Sequence, residues 1–375
     1  MRAIVVLLLA VAAVLTVTGC TLKESPEQQP SEQAGSNSSP LPVERSCKSP
    51  DVPPADVAHK PGYRQFDVSV TNSIGWPVPG LEPKDFVLYA GSQTFPVSYF
   101  REHRNDEPVA IALVVDLSGS MASKLPTVKE SLGDFLKNLN PCDEASLFAF
   151  NSQVYQLQPF STDHQTAAER IVLLNAYGKG ALYDATNAAL QRLEGTDDPN
   201  RKLILISDGI DNSSTVTEQA VAARATKDGI PIYAIGIGDP NAPEKSGIAI
   251  GPLHIVGQSY IPSGEPIVVG PPGIGEHTVY VPGSQPAWPA TDRVDAKTIE
   301  NLSASGGGRS FIVPSRGEVA GYSFETAILA IADNVAKGYT IGAIVPDGIN
   351  PSTVKVSVVK LPNLDVQARP ISVAH

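Results

Sequence analysis

Asp116, Ser118 and Ser120 stand at alternate positions in "IALVVDLSGSM", Ile111 to Met121, directly after a run of apolar residues, and Asp208 opens a similar turn after "KLILIS". Spacing of two on one loop lets three oxygen-bearing side chains point together, while Asp208 arrives from the end of a different strand. Carboxylates and hydroxyls, with no nitrogen or sulfur among them, suit a hard cation. So small a set of protein ligands suits Mg2+ or Mn2+ that keeps several waters. A cation held in this way has open coordination positions, and an acidic side chain from a partner would complete the shell. The plainer reading is that the same oxygens cap the helix that follows, because Ser and Asp are favoured at helix N-termini.

The elements that must position these residues read from the hydrophobic pattern. Between Ala110 and Gly238, apolar strand-like runs ("AIALVVD", "ASLFAF", "QVYQLQ", "KLILIS", "IPIYAIGIG") alternate with amphipathic helical stretches at Lys124 to Asn138, Thr166 to Asn175, Ala181 to Leu193 and Thr217 to Asp228. That alternation predicts an α/β fold with a doubly wound, mostly parallel sheet covered by helices on both faces. Ligands of such sheets bind beyond the carboxyl ends of the strands, which is where both acidic turns fall.

On these residues the region resembles a von Willebrand factor type A (VWA) domain, with "DLSGSM" as the DxSxS of its metal-ion-dependent adhesion site. "GALYDA" at Gly180 to Ala185 and "SDGIDNSS" at Ser207 to Ser214 match the next two signatures of that family, in order. The resemblance implies that Ser118 and Ser120 bind the metal directly and that Asp116 and Asp208 do so directly or through water. It also exposes a departure: the family usually places a threonine ligand where this chain has Gly180, which offers no side-chain oxygen. Asp184 is either a hydrogen-bond partner behind the ligands or a capping aspartate.

Strand-like runs flank the α/β region: "FDVSV" and its neighbours through Phe100 before it, and "YTIGAIVP", "TVKVSVVKL" and "VQARPISV" after it. They resemble the flanks of the VWFA-related subfamily described mainly in acidobacteria, and imply a Rossmann-like domain with a flanking small β-sandwich built from N- and C-terminal strands. The alternative is two strand sets that pack independently. The boundaries read as 61–108 for the leading strands, 109–335 for the VWA domain and 336–375 for the trailing strands. A Gly/Pro-rich insertion at 240–292 interrupts the domain, and is longer than an ordinary connection. It leaves near the carboxyl-end face, with Tyr280 and Trp288 as candidate contact residues.

The N-terminal region has a different composition. Arg2, the apolar run Ala3 to Val17 and "VTGC" resemble a lipoprotein signal, which implies a signal peptide over 1–19 and lipidation of Cys20. Lipid on Cys20 would tether the protein to a membrane of the cell envelope. Thr21 lacks the aspartate that marks inner-membrane retention, so an outer membrane or cell surface is expected. Residues 20–60, rich in Pro, Ser, Glu and Gln, read as a disordered tether. Outside the cytoplasm the remaining cysteines, Cys47 and Cys142, are either a disulfide that pins the tether to the domain or two separate thiols.

A net charge of -11 gives no footprint for nucleic acid. There is no phosphate-binding P-loop, no GxSxG elbow, no HExxH and no Cys/His cluster, and the six histidines are scattered, so no enzyme is expected. The reading is a membrane-tethered extracytoplasmic module that binds a protein partner with an exposed Asp or Glu through a divalent cation. Its alternative is a metal-independent envelope scaffold with a degenerate site.

Overall fold

The computed structural model describes residues 47–198, 200–242, 267–268, 278–279, 292–315, 323–359 and 363–371. The signal segment, Cys20, the first part of the tether, Tyr280 and Trp288 lie outside the described residues.

The described residues open with a single helical turn, α1 (Ala55–Ala58), then four strands: β1 (Tyr63–Thr71), β2 (Phe86–Ala90), β3 (Gln93–Phe95) and β4 (Val97–Glu102). The α/β region follows with β5 (Ala110–Asp116), α2 (Leu125–Lys137), β6 (Glu144–Phe150), β7 (Val154–Ser161), α3 (His164–Val172), α4 (Leu182–Glu194), β8 (Arg201–Ser207), α5 (Glu218–Asp228) and β9 (Ile232–Ile237). Two short strands, β10 (Ile267–Val268) and β11 (Thr278–Val279), pair antiparallel within the insertion. α6 (Ala296–Gly306), β12 (Ser310–Val313) and α7 (Phe324–Ala336) complete the region, and β13 (Tyr339–Ile344), β14 (Lys355–Val358) and β15 (Asp365–Ile371) close the chain.

The central sheet has the order β12-β9-β8-β5-β6-β7. All its pairs are parallel except β6 with β7, which a short connection joins as antiparallel neighbours. All seven residues of β5 are buried, as a strand covered on both faces requires. Its alternating side chains divide between two cores. Ile111, Leu113 and Val115 pack with α2, α3 and α7, and Ala110, Ala112 and Val114 pack with α4, α5 and α6. α2 buries Leu125, Val128, Leu132, Phe135 and Leu136, the stripe expected of a helix laid on a sheet.

The flanking strands form two further sheets, β15-β1-β13-β4 and β14-β2-β3. β1 lies between two C-terminal strands, antiparallel to each, with Tyr63 opposite Ile344 and Thr71 opposite Asp365. Phe66, Val68, Tyr339 and Ile341 of one sheet share a core with Phe86, Leu88 and Val356 of the other, which makes the expected sandwich. Phe86, Phe100 and Tyr339 form an aromatic cluster inside it, with ring centroids 5.2 to 5.6 Å apart. Because Tyr339 pairs with Glu102, the α/β region leaves and returns through neighbouring strands.

A buried charge cluster joins sandwich and sheet. Asp67 of β1 meets Lys202 Nζ of β8 at 3.1 Å and also pairs with Arg369 of β15. His103 Nε2 lies 3.7 Å from Asp67 and 3.0 Å from Thr340 Oγ1. Burial, then the charges of Lys202 and Arg101, hold the His103 imidazole well below its ordinary range.

The expected tether overlaps the first described residues, and here the structure differs. Cys47 and Cys142 form a disulfide with a Cα separation of 5.7 Å. Lys48 N–H donates to the Asp106 carbonyl at 3.0 Å, Tyr99 Oη donates to the Asp51 carbonyl at 2.6 Å, and Arg104 pairs with Asp51 at 2.5 Å. Residues 47–60 therefore lie on the folded unit, held by a covalent bond and polar contacts in place of apolar burial.

Candidate functional site

Parallel pairing brings the carboxyl ends of β5 and β8 side by side, with Val115 opposite Ile206, so Asp116 and Ser207–Asp208 leave the sheet together. Asp116 is fully buried. Its Oδ1 accepts the Ser118 N–H at 2.7 Å and its Oδ2 accepts the Ser207 hydroxyl at 2.6 Å. These bonds fix the loop so that Ser118 Oγ and Ser120 Oγ lie 3.1 Å apart. Neither hydroxyl caps a helix: the turn at Gly119–Met121 and α2 both begin without a side-chain cap. The capping reading of the two serines is not what the structure shows.

Asp208 is also fully buried. Its Oδ1 accepts the Ile210 N–H at 3.2 Å, while its Oδ2 accepts no hydrogen bond. A buried carboxylate oxygen without a donor is costly, and it marks a place where a cation is called for. Burial, and then the nearby Asp208 carboxylate, push Asp116 up to about 7 against the opposing bonds from Ser207 and Ser118. The two buried carboxylates and the serine hydroxyls offer only oxygen donors, so the residues present fit a hard divalent ion.

Gly180 sits against the same loop. Its N–H donates to Asn212 Oδ1 at 2.9 Å and its carbonyl accepts the Asn212 N–H at 3.0 Å. A Cβ placed there would lie 3.5 Å from Ser118 Cβ and 3.0 Å from the Ile210 carbonyl oxygen. The position thus borders the ligands but supplies no oxygen from a side chain. Asp184 does a different job: its carboxylate accepts the N–H groups of Thr215 and Val216, at 3.0 and 2.8 Å, and ties down the loop that follows Asp211.

One feature of the site is silent in the sequence. Lys124, at the start of α2, is buried with its Nζ 3.5 Å from Asp208 Oδ2. The end of the insertion also reaches the site, because Asp295 N–H donates to the Asp208 carbonyl at 2.7 Å and Asp239 N–H donates to the Asp292 carbonyl at 2.5 Å. Gly209 is required where they meet: its φ is +79°, and a Cβ would sit 2.6 Å from the Asp295 carbonyl oxygen. The two ends of the insertion therefore meet, and the chain returns from it beside Asp208. Among the described residues no three His, Cys, Asp or Glu side chains gather as a metal cluster, and no helix is long and apolar enough to cross a membrane.

Residues 110–259 match the family model of the von Willebrand factor type A domain. No curated protein matches the sequence. Several solved structures are similar. BatB from Bacteroides thetaiotaomicron is 17% identical, over 60% of this chain and 97% of its own, with a TM-score of 0.42. A von Willebrand factor type A protein from Catenulispora acidiphila is 12% identical, over 76% and 75%, with a TM-score of 0.41. Proximal thread matrix protein 1 from the mussel byssus, solved with a zinc-occupied MIDAS motif, is 13% identical, over 64% and 49%, with a TM-score of 0.43. Domains of the matched family are generally interaction modules, not enzymes, and often bind a divalent metal. The family match covers residues 110–259, the stretch that holds β5 to β9 and both acidic strand ends, so this region of the chain is similar to a von Willebrand factor type A domain.

Proposed function

We propose that this protein is a tethered, divalent-cation-dependent binding module of the cell envelope. Asp116, Ser118, Ser120 and Asp208 would hold Mg2+ or Mn2+, and lipid on Cys20 would anchor the chain to an outer membrane or cell surface. A cation bound there supplies open coordination positions for an Asp or Glu of a protein partner. The single observation that carries this reading is the pair of fully buried carboxylates beside facing serine hydroxyls, with one Asp208 oxygen lacking a donor. The lipoprotein-like signal that ends in "VTGC" at Cys20 supports the anchor, and the flanking sandwich supports the subfamily resemblance.

The chain's own residues prepare the site. Ser207 and the Ser118 N–H fix both oxygens of Asp116, and the Asp295 N–H fixes the backbone of Asp208, so the ligands need little reordering. Gly180 favours a second reading, a metal-independent scaffold, because it leaves the ligand set one hydroxyl short. Calorimetry of Mg2+ and Mn2+ into the EDTA-stripped full chain decides between them. Saturable binding below about 1 mM that Asp116→Ala abolishes supports the binding module. Absence of heat and of any metal-dependent melting shift leaves the scaffold.

A further inference from the structure

Lys124 is the buried lysine nearest the candidate site. Its side chain and that of Asp208 are both 0% exposed, and its Nζ lies 3.5 Å from Asp208 Oδ2 and 3.4 Å from the Arg293 carbonyl oxygen. A buried ammonium costs several kcal/mol unless it is paired, so its placement needs a compensating charge, and Asp208 is that charge. The loop that carries the serines also delivers the lysine. After the turn at Gly119–Met121, Lys124 N–H donates to the Met121 carbonyl at 2.9 Å, and α2 begins at the next residue.

We infer that Lys124 is a resident counter-cation, which holds Asp208 in the ion-free protein and which a divalent ion must outcompete. This inference rests on the ion-binding reading above. Asp208 Oδ2 accepts no hydrogen bond from any neighbour, so the ammonium is the positive charge beside it. Mg2+ takes carboxylate oxygens at about 2.0–2.1 Å. An ion at that distance from Asp208 stands within a few ångströms of the ammonium, where like charges are poorly screened. Lys124 therefore does two things at once. It lets the site stay folded without metal, and it raises the ion concentration at which the site loads.

The test compares the EDTA-stripped full chain with Lys124→Met, which keeps a long apolar stem and removes the charge, with Lys124→Arg, which keeps the charge, and with Leu132→Ala as a packing control. Melting temperatures are read in EDTA and in saturating Mn2+, and Mn2+ affinity is read by calorimetry. In the expected result Lys124→Met melts lower in EDTA, recovers in Mn2+, and binds Mn2+ at least about tenfold more tightly. Lys124→Arg stays close to the parent, and Leu132→Ala melts lower by the same amount in both buffers. Binding of Mn2+ by Lys124→Met alone, with none by the parent, also supports the inference. An equal drop for Lys124→Met in both buffers with unchanged Mn2+ affinity, or weaker Mn2+ binding, overturns it while the ion site stands. If neither protein binds Mn2+, both the inference and the ion-binding reading fail.

Discussion

Replacing Cys47 with serine opens the bond to Cys142, which closes a loop of 95 residues in the unfolded chain. In the chain-entropy description the lost constraint is 2.1 + 1.5R ln n, which for this loop is about 16 cal/mol/K, or about 4.7 kcal/mol at 25 °C. Cys47 is exposed and Cys142 is buried, so the single change at Cys47 leaves the packing around Cys142 in place. The ion pairs that flank Cys47, Lys48 with Asp106 and Arg104 with Asp51, involve partly exposed side chains and hold the segment only weakly once the bond is gone. Urea unfolding followed by far-UV circular dichroism, in non-reducing buffer, should show a loss of roughly 3–5 kcal/mol for Cys47→Ser. The parent protein in reducing buffer should lose a similar amount. A loss below about 1 kcal/mol in both comparisons would refute the reasoning, because it would mean that the bond constrains little of the unfolded ensemble.

Other perturbations separate the remaining arguments. Gly180→Thr should tighten Mn2+ binding by about tenfold at a cost in stability, since its Cβ would press on the Ile210 carbonyl; unchanged affinity in calorimetry would remove Gly180 from the account. His103 is held neutral in the fold, so below its unfolded value of about 6.5 the unfolded chain takes up a proton that the folded one refuses. Stability present above that pH is lost as pH falls, at up to about 1.4 kcal/mol per unit. Asp116, raised to about 7, titrates in the same window with the opposite sign, so the test is the difference between parent and His103→Gln in urea midpoints at pH 7 and pH 5: the variant should lose less stability on acidification, and an equal pH response in the two would assign the effect elsewhere. Asp67→Asn strips the carboxylate from between Lys202 and Arg369 and should cost about 3–5 kcal/mol in urea unfolding, whereas a change within 0.5 kcal/mol would show that the cluster relaxes without it.

How much was legible in advance depended on the kind of force at work. The strands β5, β8 and β9 read clearly because strands covered on both faces must be continuously apolar, and the acidic turns at their ends followed from the fold class. Long-range pairing was legible only as an inference from flanking patterns, and the register of β1 between β13 and β15 is not written in either segment alone. Lys124 was read as the first residue of an amphipathic helix, where a lysine is ordinary. Only the proximity of Asp208, 84 positions later, makes it part of the site. Residues 47–60 carry the composition of a tether, yet one disulfide and a few polar contacts place them, because cross-links do not show in hydrophobic content. Asp184 is a loop tie that a motif alone could not tell from a ligand's supporting partner.

The position of the disulfide also determines how the protein bears force. Cys142 lies just before β6, at the amino end of the sheet, while Asp116 stands at the far end of β5, opposite Phe150. Traction on the segment before Cys47, resisted at Asp116 and its neighbours, would run along β6 and across to β5 through seven paired positions. Load applied to the two strands from opposite ends draws on those parallel hydrogen bonds together, in shear, and does not peel them one at a time. The sandwich lies off this line. Without the bond the same pull would arrive through β1 and would have to cross the sandwich before it reached the sheet.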